Sequence, residues 1–287
     1  MNAPALFSTN FRAAVGAPEP VTWIDVGGTR LAVMRRGHGT PVVCLHAIGH
    51  GARDFEPLAQ RIGDTFEIVA LDWPGQGLSP SDGQVPTAAH YEELLKAAMD
   101  ALKIERAILL GNSIGATTSL RLAANAPERV TALVLCDTGG LVALTPFVRF
   151  LIGRYAAFFA AGERGATWFA GAFRFYYRRI VLPRAHEEAE RIIASGYEIA
   201  GLLRQAFDGF AQPDADIRAL VPRVKCPVFI AWAKSDRVIV WSFCRKAARK
   251  FTDVRIAFFR GGHAAFLEDT ERFARAFRQF AKDKNLV

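Results

Sequence analysis

Short unbroken apolar runs recur along the chain: PVVCLH (41–46), FEIVALD (66–72), AILLGN (107–112), VTALVLCD (130–137), PVFIAWA (227–233) and VRIAFFR (254–260). Apolar residues in continuous order, without alternation, predict strands covered on both faces, as in a parallel sheet. Ahead of them, VTWIDVG (21–27) and TRLAVMRR (29–36) meet at a Gly-Gly pair and predict an antiparallel hairpin. Between the runs the period lengthens to that of a helix. YEELLKAAMDALKI places Leu94, Leu95, Ala98, Met99 and Leu102 on one face, with Thr87 as N-cap. Thr270 opens a later helix whose stripe is Phe273, Phe277 and Phe280. A hairpin followed by alternating strands and helices predicts an α/β fold on a mostly parallel, eight-stranded sheet. The alternation stops only from about residue 140 to 218, where helical patterns stand alone. The expected organisation is a lead-in over 1–20, a core made of 21–140 and 219–287, and a helical insertion over 141–218 after the sixth strand.

The run AILLGN leads into Gly111-Asn112-Ser113-Ile114-Gly115 and then into the helix-forming IGATTSLRLAANA. A serine between two glycines, with a buried strand before it and a helix after it, has the context of a nucleophile elbow. The turn is so sharp that the residues two before and two after have no room for side chains. The N–H of the next residue, Ile114, then faces the developing oxyanion from the positive end of a helix. A nucleophilic serine needs a base, and the base needs a carboxylate to orient it. Asp236 stands just past the seventh strand and His263 just past the eighth. Asp137, directly after the sixth, is the rival carboxylate, although a loop-capping role also explains it. Among the other histidines, His38, His90 and His186 lie in polar or helical surroundings. His46 and His50 follow the third strand, ahead of the serine in the chain.

Five motifs in order, LHAIGH (45–50), DWPGQGLS (72–79), GNSIG (111–115), AWAKSDRVIV (231–240) and GGHAAFLED (261–269), carry a family resemblance. With them the chain resembles the α/β-hydrolase superfamily, in its cap-bearing branch with esterases, epoxide hydrolases, haloalkane dehalogenases and carbon–carbon bond hydrolases. The resemblance implies the α/β-hydrolase fold, with residues 141–218 as a helical cap. It makes Ser113 the nucleophile, His263 the base and Asp236 the orienting acid. It also implies a second oxyanion donor, the N–H of Ile48, although Ala47 stands where the family usually has glycine. His46 reads as a loop organiser, and Asp72 to Gly77 as a turn scaffold. Epoxide hydrolases and haloalkane dehalogenases of this kind attack with aspartate, so a serine in that position implies acyl chemistry. A carboxylesterase is the leading expectation and a carbon–carbon bond hydrolase of ring-cleavage products the alternative. The third possibility, a non-catalytic ligand receptor on this scaffold, sits poorly with a chain that keeps all three triad residues.

Composition narrows this picture further. With 51% hydrophobic and 22% charged residues and a net charge of +8, the 287-residue chain is of ordinary globular type. The scattered Cys44, Cys136, Cys226 and Cys244 predict free thiols in a reducing compartment, and the first twenty residues lack a signal-peptide pattern. A cytoplasmic location is therefore expected. Nothing in the sequence points to a cofactor, a metal site or nucleic-acid binding. Residues 141–179 carry eleven aromatics and six arginines against the single acid Glu163. Some of those aromatics, with Phe147, Phe150, Phe158 and Trp168 as candidates, are expected to roof an apolar substrate pocket. The basic outer face suits peripheral membrane contact, while Pro146, Arg149 and Arg154 argue against a transmembrane span.

Overall fold

The computed structural model describes residues 21–287. The lead-in expected over 1–20 lies outside the described residues. Strands β1 (Val21–Val26) and β2 (Thr29–Arg36) form the antiparallel hairpin. They are followed by β3 (Thr40–Leu45), β4 (Phe66–Leu71), β5 (Ala107–Asn112), β6 (Val130–Cys136), β7 (Val228–Ala233) and β8 (Val254–Phe259). The sheet order is β1-β2-β4-β3-β5-β6-β7-β8. The hairpin pairs antiparallel with β4, and all later pairings are parallel. Every residue of β5 and β7 is buried, which explains why both read as unbroken apolar runs.

Helices α1 (Glu56–Ile62), α2 (Ala88–Ala101) and α3 (Ile114–Asn125) follow β3, β4 and β5. The side chain of Thr87 caps α2 by accepting the His90 N–H. Tyr91, Leu94, Leu95, Ala98 and Met99 are buried on that helix, with Leu102 half-buried at its end. Between β6 and β7 the chain runs through α4 (Pro146–Glu163), α5 (Phe169–Tyr176), a π-helical turn (Tyr177–Val181), α6 (His186–Ala194) and α7 (Gly196–Phe210). Helices α4 and α7 pack side by side, joined by Tyr155 and Phe159 against Phe207. After β7 come α8 (Trp241–Ala248), the single turn α9 (Ala265–Glu268) and α10 (Thr270–Asp283). The α10 stripe of Phe273, Phe277 and Phe280 is fully buried, with Phe273 and Phe280 against Phe229 of β7. Each such phenyl group stabilises the fold by roughly 1.5–3 kcal/mol.

From β3 the chain steps one way to β4 and then back across to β5. The sheet's switch point therefore lies between β3 and β5, where a crevice opens at the strand C-termini. The loop carrying Ile48 and the turn carrying Ser113 flank it.

Candidate active site

Ser113 joins β5 directly to α3 with φ 55° and ψ −115°, a left-handed conformation unusual for a residue with a side chain. The flanking glycines are required by contact. A Cβ on Gly111 would lie 2.4 Å from the Ala116 nitrogen, and one on Gly115 would lie 2.2 Å from the Leu45 carbonyl oxygen. Asn112, for which sequence reasoning assigned no role, donates from Nδ2 to the carbonyls of Cys136 (3.2 Å) and His263 (2.9 Å), tying the elbow to the histidine loop.

Nδ1 of His263 lies 2.9 Å from Oδ2 of Asp236. The other Asp236 oxygen accepts the N–H groups of Val238 (2.8 Å) and Ile239 (2.9 Å), which fixes the carboxylate as an acceptor. Nδ1 therefore carries the proton, and Nε2 keeps the lone pair that a general base needs. Burial opposes charge on the imidazole, but the carboxylates around it, Asp236 foremost and then Asp137 and Glu268, together outweigh burial and hold His263 above its ordinary range. Asp137 sits elsewhere. Its oxygens accept from Ala233 N–H (2.6 Å) and Ala265 N–H (3.0 Å), pinning the end of β7 to the start of α9. Burial, with the nearby Asp236 charge, pushes Asp137 up to about 8.

Two features of the histidine loop escaped sequence reasoning. Glu268 turns its carboxylate inward, where Oε2 accepts from Gly262 (2.6 Å), His263 (3.2 Å) and Ala264 (3.3 Å). Burial outweighs those bonds and raises Glu268 to about 7. The loop also touches the helical insertion. His263 N–H donates to the Val181 carbonyl at 2.8 Å, and a Cβ on Gly262 would stand 2.2 Å from the Ile180 carbonyl oxygen. The glycine before the histidine is thus set by the approach of the π-helical turn. Only its place in GGH hinted at this.

The loop after β3 is held from behind. Trp73 N–H donates to His46 Nε2 (3.0 Å), so the His46 proton sits on Nδ1 and points at the Ala47 carbonyl (2.7 Å). Burial depresses this imidazole to about 4, and it keeps its organising role as a neutral ring. Gln76 accepts the Gly49 N–H at 2.7 Å, and Asp72 accepts those of Ala52 (2.6 Å) and Leu78 (2.9 Å). Gly77 packs so tightly on Asp72 that a Cβ there would lie 2.1 Å from its carboxyl carbon. Ala47 is not among the residues with positive φ, so its backbone does not require a glycine there. Ile114 opens α3, so its N–H has no acceptor within the helix. Ile48 N–H likewise meets no protein acceptor among the described residues.

Ser113, His263, Ile48 and Ile114 share one cavity of about 350 Å³. Its remaining wall is mainly apolar, including Val148, Leu151, Ile152 and Tyr155 of α4 together with Val238 and Ile239. The charged lining residues, Asp214 and Arg237, are exposed. The four aromatics expected to roof this pocket do not line it. Phe147, Phe150 and Trp168 are 61%, 64% and 56% exposed, and Phe158 packs among Phe159, Trp168, Phe169 and Tyr176. The row at 148, 151, 152 and 155 takes the inner face of α4, which turns 147 and 150 outward. Tyr155, Tyr176 and Tyr177, from the same set of eleven aromatics, do line the cavity. Among the described residues no helix is long and apolar enough to cross a membrane.

A serine on a strained elbow, a carboxylate-oriented imidazole and two backbone N–H groups without a protein acceptor, all on residues lining one cavity, form an arrangement suited to acyl transfer. A family model for the alpha/beta hydrolase fold matches residues 40–270, and the chain belongs to that family. It is 33% identical over 137 residues to a serine hydrolase-like protein of Danio rerio, covering 47% of this chain and 41% of the relative. It is 32% identical over 125 residues to a 2-(acetamidomethylene)succinate hydrolase of Mesorhizobium japonicum, covering 44% of this chain and 43% of the relative. The matches thus span less than half the length of these curated relatives. A solved thermophilic esterase from Thermogutta terrifontis superposes with a TM-score of 0.76 at 21% identity, over 92% of this chain and 98% of that one. At that identity the likeness speaks for the fold.

Proposed function

We propose that the protein is a serine hydrolase that cleaves carboxylic esters of apolar, short- to medium-chain acyl groups through an acyl-enzyme. The observation that carries this reading is the mainly apolar cavity built directly over Ser113, with His263 and the two candidate oxyanion amides in its wall. In this mechanism Ser113 Oγ passes its proton to His263 Nε2 and attacks the ester carbonyl. The N–H groups of Ile48 and Ile114 stabilise the oxyanion, and His263 returns the proton to the departing alkoxide. Water, deprotonated by the same imidazole, then releases the acid and frees the serine. The hydrolases among the relatives support the reaction class, and the ester specificity rests on the cavity alone.

Acyl length gives the direct test. Each methylene buried in the cavity contributes about 0.8 kcal/mol, or roughly fourfold in kcat/KM. Nitrophenyl esters therefore improve from acetyl toward hexanoyl, and half-esters of dicarboxylic acids fall below the acetyl ester because their charge loses water without gaining a partner. Equal rates along the series would overturn the apolar-acyl reading. Faster turnover of a vinylogous ring-cleavage diketone than of any ester would replace it with carbon–carbon bond hydrolysis.

The pH profile tests the histidine. Hydrolysis requires neutral His263, and the Asp236 carboxylate favours the protonated ring, so its titration lies above the ordinary 6.5. The acid limb of kcat/KM is therefore expected to be centred above 6.5, with activity lost as the pH falls through it. An acid limb centred below pH 6 would contradict the His263–Asp236 pairing.

A further inference from the structure

A second imidazole–carboxylate pair borders the cavity. Nδ1 of His50 lies 2.5 Å from Oδ2 of Asp54, and the other Asp54 oxygen pairs with the guanidinium of Arg191 on α6. All three side chains are buried, at 8% exposure or less. Burial alone would raise the Asp54 acid, but His50 and Arg191 bring it down to about 2, so it stays an acceptor. The His50 proton then sits on Nδ1, and Nε2 presents a lone pair.

His50 lines the cavity, and its Nε2 has no protein partner among the described residues. Tyr177 also lines the cavity, its ring centre 5.9 Å from that of His50. Its hydroxyl lies 3.6 Å from the point a Cβ would occupy on Gly49, so it adjoins the oxyanion loop. That hydroxyl too makes no hydrogen bond with protein among the described residues. Both groups border the same cavity without a protein partner among the described residues, so a bound ligand can supply the bonds that the protein does not. A ligand hydroxyl satisfies both, accepting from Tyr177 Oη–H and donating to His50 Nε2. A methyl group satisfies neither, and a carboxylate would oppose the Nε2 lone pair. His50 and Ile48 belong to one loop and line one cavity with Ser113, which puts the matched hydroxyl on the oxyanion-loop side of that cavity.

We propose that His50 and Tyr177 form a hydroxyl-recognition subsite beside the oxyanion loop, taking esters with a free hydroxyl near the scissile carbonyl. Esters of 2- or 3-hydroxy acids and monoesters of 1,2-diols are the candidate class. The proposal rests on the ester-hydrolysis reading and narrows its substrate.

The test uses matched pairs with the wild-type protein: butyrate against 2-hydroxybutyrate and 3-hydroxybutyrate esters, and ethyl against 2-hydroxyethyl butyrate. At least one hydroxylated partner is expected to show about tenfold higher kcat/KM, the scale of one or two matched hydrogen bonds. Tyr177→Phe removes one oxygen, and His50→Asn keeps a donor for Asp54 while removing Nε2. Each is expected to bring the ratio close to one. A merely structural role would lower both members of a pair together and leave the ratio unchanged, which would overturn the proposal even if His50→Asn failed to fold, because Tyr177→Phe reads the same ratio. Wild-type ratios at or below one in every pair, with plain esters still hydrolysed, would overturn the subsite alone. No turnover of any ester would instead overturn the ester reading and the subsite's placement with it.

Discussion

Ser113→Ala is expected to lower kcat on an accepted ester by about 10⁶-fold, the scale seen when a serine nucleophile is removed, while the fold survives. The fold survives because the serine's strain is backbone strain, at φ 55° with glycines pressed around it, and alanine meets the same steric situation. Its amide still donates to the Cys136 carbonyl at 3.0 Å, and its carbonyl still accepts from Thr117. Only Oγ is lost. Circular dichroism and Tm check the fold, and burst-phase release of nitrophenol checks the acyl-enzyme. A folded Ser113→Ala protein with near-normal turnover would sink the assignment of the nucleophile.

Asp236→Asn is expected to cost about 10⁴-fold in kcat, because an amide at that position can donate to Nδ1 and so stabilise the wrong tautomer of His263. Val238 and Ile239 N–H groups already fix one oxygen as an acceptor, which directs the amide nitrogen at the imidazole. Asp137→Asn removes no bond to His263 but replaces one of two carboxylate oxygens, each of which accepts a backbone N–H, with an amide nitrogen that cannot accept. It is expected to leave kcat of the folded protein within about tenfold and to cost roughly 1–3 kcal/mol of stability. Measuring kcat and denaturant midpoints for both variants separates the two roles. A reversed pattern, with Asp137→Asn the catalytic lesion, would move the orienting acid to the end of β6.

Much of the site was legible because its logic is local in the chain. Whether a strand is buried on both faces shows in its own residues, and the elbow's glycines sit two positions either side of the serine they serve. Asp236 and His263 could be placed because each follows directly on a recognisable strand. Glu268 and Asn112 could not, since their partners are backbone groups whose positions depend on the folding of other loops. His50 looked like a histidine out of order. Its significance comes from Asp54 four residues away, and from Arg191 and Tyr177 on the insertion, far along the chain.

The strand runs, the hairpin, the helix stripes and the turn that presents Ser113 are written into neighbouring residues, because each follows from periodicity or from glycine placement within a few positions. Tertiary structure alone decided which aromatics meet the cavity. Helix α4 carries apolar residues nearly all the way round, at Phe147, Val148, Phe150, Leu151, Ile152 and Tyr155, so its period marks no single buried stripe. The face that turned inward was chosen by packing against α7 and around the cavity. That choice placed Val148, Leu151, Ile152 and Tyr155 in the cavity wall and left Phe147 and Phe150 in solvent.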